Sequence, residues 1–136
     1  MKFTTPALAL LVLSSLGLPA SAQSRSEVHF EAGNYGAMVS GTVAGNEYVD
    51  YLLGAKAGQE MFVELTVVDS NGDGTIYFNI LPPGSSGEAI YVGSMDGNST
   101  VVPLPADGEY TIRVYQMGND ADTGKTTGFN VDLSIQ

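Results

Sequence analysis

The chain has 136 residues, with 5 Lys and Arg against 15 Asp and Glu, a formal charge of −10, one histidine and no cysteine. It therefore carries no disulfide framework, no thiolate nucleophile and no zinc ribbon, and the lone His29 cannot build a histidine-rich metal site. The acidic balance opposes a phosphate backbone, whose binding rests on Lys and Arg releasing counterions, so no nucleic acid partner is expected; a basic protein or a cation is favoured instead.

Lys2 is followed by an apolar run over residues 7–18 and by Ala20-Ser21-Ala22 before Gln23, the pattern of a secretory signal peptide spanning residues 1–22. Its removal leaves residues 23–136 as a single domain with 4 basic and 15 acidic residues, a net charge of −11. No later apolar run is long enough to span a membrane, so the mature product is expected to be periplasmic or secreted, with no membrane partner.

Along the mature chain the apolar residues recur with a period of two, the signature of half-buried strands. Residues 37–43 and 47–53 read as a pair joined at Gly45-Asn46. In the segment 60–68, Met61, Val63, Leu65 and Val67 alternate with Glu60, Phe62, Glu64 and Thr66. Further strands follow at 75–81, 89–92, 99–104 and 109–117, and Phe129, Val131, Leu133 and Ile135 alternate with polar residues to the end. Glycine and Asn or Asp at 58, 71–74, 84, 96–98 and 107–108 supply the positive φ of tight turns. The expected fold is all-β, an antiparallel β-sandwich of about eight short strands.

Three local patterns bear on chemistry. Asp69-Ser70-Asn71-Gly72-Asp73-Gly74 matches the start of an oxygen-ligand calcium loop, but the position that should carry a bidentate carboxylate is Ile80. A tight hairpin turn selects the same residues, so Asp69, Asn71 and Asp73 stand only as an alternative cation site. His29, between Glu27 and Glu31, reads as a solvent-facing residue of a terminal strand, and the pairs Glu47/Asp50, Asp107/Glu109 and Asp120/Asp122 read as solvated charge. With no G-x-S-x-G elbow, metal cluster or cofactor fingerprint, neither an enzyme nor a cofactor is expected. The third pattern sets Tyr48, Asp50 and Tyr51 beside Tyr110, Arg113, Tyr115 and the Asp107-Gly108-Glu109 turn, residue types that anchor protein interfaces. Arg113 is set on the face of its strand opposite Ile112 and Val114.

At these residues the chain resembles a known family. Glu47-Tyr48-Val49-Asp50-Tyr51, Ala55-Lys56-Ala57-Gly58-Gln59, the segment 104–114, Asn119-Asp120-Ala121 and Phe129-Asn130-Val131-Asp132 fall in the order seen in periplasmic inhibitors of goose-type lysozyme, and more loosely in pre-peptidase C-terminal β-sandwich domains. The resemblance implies a bacterial β-sandwich that inserts a loop into a lysozyme's active-site cleft. The family's loop carries a Ser-Gly-x-Tyr motif, matched here at Gly108 and Tyr110 with Asp107 in the serine's place. An ionised Asp107 cannot donate the hydrogen bond a hydroxyl would, and it is repelled by a lysozyme carboxylate. On this resemblance Asp107, Gly108, Glu109 and Tyr110 form the key loop, flanked by Tyr48, Asp50, Arg113 and Tyr115. The looser likeness implies instead a non-catalytic binding or structural module, with a cation in the Asp69 turn.

Overall fold

The computed structural model describes residues 24–136; the expected signal peptide lies outside the described residues. Nine strands follow in order: β1 (Ser24–Glu27), β2 (Gly36–Ala44), β3 (Tyr48–Ala55), β4 (Glu60–Ser70), β5 (Ile76–Leu81), β6 (Tyr91–Val92), β7 (Ser99–Pro103), β8 (Gly108–Gln116) and β9 (Thr126–Ile135). Two single helical turns interrupt them, α1 (Gly93–Asp96) after β6 and α2 (Gly118–Asp122) after β8. The strands form a five-stranded sheet, β1-β3-β8-β5-β6, packed on a four-stranded sheet, β2-β9-β4-β7.

The alternation read from the sequence builds this sandwich. Met61, Val63 and Leu65 of β4 and Phe129, Val131, Leu133 and Ile135 of β9 face inward from one sheet. Val49, Tyr51 and Leu53 of β3, Ile76, Phe78 and Ile80 of β5, and Tyr110, Ile112 and Val114 of β8 meet them from the other. Each large apolar side chain so enclosed contributes roughly 1.5–3 kcal/mol relative to exposure, so one continuous core fixes the stacking of the sheets. Gly41 on β2 leaves room for it: a Cβ there would stand 2.5 Å from the Tyr51 hydroxyl and 2.8 Å from the Phe129 ring.

Several sequence expectations need correction. The strands over 37–43 and 47–53 are not a hairpin: β2 pairs with β9 along its whole length, while β3 pairs with β8 in the opposite sheet. The Asp69–Gly74 segment is likewise a crossing between sheets, from β4 to β5, and not a hairpin turn. Alternation says that one side of a strand is buried, but both sheets bury a side against the same core, so the pattern does not say to which sheet a strand belongs. The extra strand β1 is exposed at all four positions and pairs parallel to β3, so it offers no alternation to read.

Candidate functional site

The outer face of the five-stranded sheet is where the chain gathers its polar and aromatic side chains. Because Ile112 and Val114 point inward, Thr111, Arg113 and Tyr115 of β8 point outward, and register sets Arg113 opposite Asp50 of β3 and Asn79 of β5. Tyr115 stands opposite Tyr48 on one side and Tyr77 on the other. The Arg113 guanidinium grips Asp50 with two parallel bonds, Nε to Oδ1 at 2.9 Å and Nη2 to Oδ2 at 3.0 Å, and Nη1 reaches the Ser86 carbonyl at 3.3 Å. Its central carbon lies 4.0 Å above the Tyr48 ring centroid. The paired Asp50 carboxylate holds the guanidinium pKa above its ordinary value. Tyr115 donates to Asn79 Oδ1 at 2.7 Å, and its ring leans on Tyr77 at 6.3 Å between centroids.

Asp50 is only 3% exposed, which corrects its reading as solvated charge. A carboxylate so enclosed is stable only when paired, and the fork geometry of arginine supplies two charge-assisted bonds at once. The result is a polar floor whose side chains are locked by one another. Above it lies a cleft of about 580 Å³, walled on one side by residues 82–86 and on the other by Arg25 and Glu109. Arg25, on the strand that the sequence did not disclose, stands 4.0 Å from Glu109 across the rim. A concave, prearranged, polar recess of this kind can receive a protruding segment of a partner without a large ordering cost.

The crossover from β7 to β8 is built the opposite way. Tyr110 is fully buried, and its hydroxyl donates to the Ala106 carbonyl at 2.6 Å and accepts from the Ala106 amide at 3.1 Å. Expected among the partner-binding residues, Tyr110 thus has its ring in the core and its hydroxyl on the turn's own backbone. Asp107 is exposed, yet its Oδ1 accepts the Ala57 amide at 2.8 Å, tying this turn to the one between β3 and β4. Gly108 has φ +139°, and a Cβ there would meet the Pro83 ring at 2.8 Å, so glycine lets the turn pack against the cleft wall. What the turn presents outward is Asp107, Gly108 and Glu109.

Asp120, read from sequence as solvated charge, is instead 1% exposed. Its two carboxylate oxygens accept the amides of Asp73 and Thr75, each at 2.9 Å, and those backbone bonds hold its pKa below the ordinary 3.8. Nothing in the local sequence announces this, because the amides it caps lie more than forty residues away. The same segment spends its other oxygens internally: Asn71 Oδ1 accepts the Thr126 amide at 2.9 Å, and the Asp69 carboxylate lies against Gly128. Asp69 and Asn71 line a shallow hollow with Thr42, Ser70 and Thr126, and among the described residues no three His, Asp or Glu side chains converge on a metal position. His29 is exposed, 3.4 Å from Glu27, and is not among the residues lining the cleft.

No protein-family model matches the chain. The curated inhibitor of g-type lysozyme of Escherichia coli strain K12 is 32% identical over 137 residues, covering the whole of both chains. Among solved structures, the periplasmic lysozyme inhibitor of g-type lysozyme from Aeromonas hydrophila (PliG) superposes with a TM-score of 0.74 at 34% identity, over 83% of this chain and 96% of its own. The Salmonella Typhimurium PliG gives 0.66 at 28%, over 85% of this chain and all of its own. The pre-peptidase C-terminal domain of a Bacillus anthracis collagenase gives 0.55 at 12% identity over 85% of this chain, a likeness of fold alone. With its sandwich shared by these structures and its whole length aligned at that identity, the chain belongs to the family of inhibitors of g-type lysozyme.

Proposed function

We propose that this chain is a periplasmic inhibitor of g-type lysozyme and not an enzyme, and that it holds the lysozyme through the outer face of the five-stranded sheet. The full-length likeness to the E. coli inhibitor supports the activity. The observation that carries the location is the locked Tyr48–Arg113–Asp50 stack on the floor of the cleft, where tyrosine and arginine are already fixed in place before a partner arrives. Anchors of this type dominate protein interfaces because little rotamer freedom is lost on binding.

In this reading the exposed Asp107–Gly108–Glu109 rim enters the lysozyme cleft, while the recess beside it receives a segment of the lysozyme surface. Tyr110 supports the rim from below without touching the partner. A mature charge of −11 favours encounter with a basic lysozyme and makes association fall as salt rises. The test is turbidimetric lysis of peptidoglycan by goose-type, chicken-type and invertebrate-type lysozymes with and without excess mature protein. Selective protection from the goose type supports the proposal; no protection from it, at any salt concentration at which the lysozyme is active, refutes it.

A further inference from the structure

The four-stranded sheet turns a different surface to solvent. Since Met61, Val63 and Leu65 face the core, Phe62 and Glu64 face out, and register lines Phe62 up with Ser134 of β9 and Val101 of β7. Val101 is 56% exposed, and Tyr35, whose carbonyl accepts the Ile135 amide at the other edge of the sheet, is 72% exposed. Glu60, Phe62, Val101, Ser134 and Gln136 enclose a notch of about 250 Å³, and Gln136 shares a second hollow with Tyr35. Phe62 of β4 and Val101 of β7 thus form an apolar pair over the notch, with Ser134 of β9 beside them and Tyr35, just before β2, across the second hollow.

Its border carries one sign of charge. Glu64 stands directly opposite Asp132, with Glu60 four residues back along the same face of β4, although like charges in cross-strand register destabilise a sheet. No Lys or Arg occurs in β2, β4, β7 or β9, and none of the three ion pairs among the described residues involves these carboxylates. A notch with aromatic and aliphatic walls and a carboxylate at its rim matches the stem and head of a lysine or arginine side chain.

We propose that this face is a second docking surface, taking an extended basic segment of a protein partner, with a lysine or arginine stem between Phe62 and Val101 and its head group at Glu60. The surface lies on the opposite side of the sandwich from the cleft, so its occupant and a lysozyme can be held at once. Amide-resolved NMR titration of the mature protein with a synthetic heptapeptide alternating lysine and valine tests this. Shifts are expected to centre on Phe62, Val101 and Ser134, to vanish at high salt, and to be unchanged in an Arg113→Ala protein. Glu60→Gln and Val101→Ser, both on exposed positions, should each weaken binding about threefold, the scale of one exposed charge or apolar contact. Shifts spread evenly over the acidic surface, shifts centred on the cleft, no shifts, or equal shifts with glutamate in place of lysine would each overturn the proposal. The lysozyme assay is decided on the other face, so neither result substitutes for the other.

Discussion

Tyr48 and Tyr110 lie near opposite ends of the β3–β8 pair, and they do opposite work. The Tyr110 ring is enclosed by the core and its hydroxyl closes a turn on Ala106, whereas the Tyr48 ring lies on the outer face under a guanidinium and lines a cleft. The β7–β8 crossover spends its polar groups inward, on Ala106 and Ala57; the outer face of the five-stranded sheet holds its own in a lattice open on one side. A motif can therefore divide its work: the Tyr110 of Gly-x-Tyr fixes the turn from beneath, while Gly108 and Glu109 lie at the exposed rim that the proposal gives to the partner.

That contrast can be broken most forcefully at Tyr110. Tyr110→Ala removes a fully buried aromatic ring and should destabilise the domain by about 3–5 kcal/mol, read by denaturant or thermal unfolding. Loss of inhibition in that variant then reports unfolding. Arg113→Ala should weaken inhibition of a g-type lysozyme by about tenfold to a hundredfold, the scale of a central interface anchor. Its cost in stability is about 1–3 kcal/mol, because Asp50 is left enclosed without a partner while the arginine itself is partly solvated.

Asp120→Asn sharpens the comparison at the far end of β8. An amide offers one acceptor where the carboxylate satisfies two backbone donors, so the melting temperature at neutral pH should fall. The folded carboxyl titrates below its ordinary 3.8, so its stabilisation is complete above that value and is lost as pH falls through the lower folded value. The gap in melting temperature between wild type and Asp120→Asn should accordingly close on acidification; a gap that widens contradicts the assignment. Tyr110→Phe keeps the ring and deletes the hydroxyl, costing about 1 kcal/mol and leaving inhibition unchanged. The smallest effect belongs to Asp107→Ser. A hydroxyl can still accept the Ala57 amide, stability should stay within about 0.5 kcal/mol, and relief of charge repulsion should tighten inhibition by at most about threefold.

The inward alternation of Met61, Val63 and Leu65, or of Phe129, Val131, Leu133 and Ile135, made the sandwich legible, because burial of one strand face is a local property of the chain. The outward placement of Arg113 opposite Ile112 and Val114 was legible for the same reason. Its partner was not: Asp50 lies sixty-three residues away, and only the β3–β8 register brings the two together. Asp120 was hidden more deeply, since its partners are backbone amides, which every residue but proline possesses and no sequence distinguishes. The burial of Tyr110 was not legible because a tyrosine near a turn glycine looks the same whether its hydroxyl faces solvent or the turn itself. The strand β1, with no buried position, left no trace in the pattern, yet it brings Arg25 to the rim of the cleft.

The most direct measurement compares inhibition constants for a g-type lysozyme between Tyr48→Ala and Tyr110→Phe, with the melting temperature of each recorded alongside. The cleft account predicts a loss of about tenfold or more for Tyr48→Ala with folding retained, and no change for Tyr110→Phe beyond a modest drop in melting temperature. Full inhibition by Tyr48→Ala together with a loss in well-folded Tyr110→Phe would contradict it and return the contact to the Tyr110 hydroxyl.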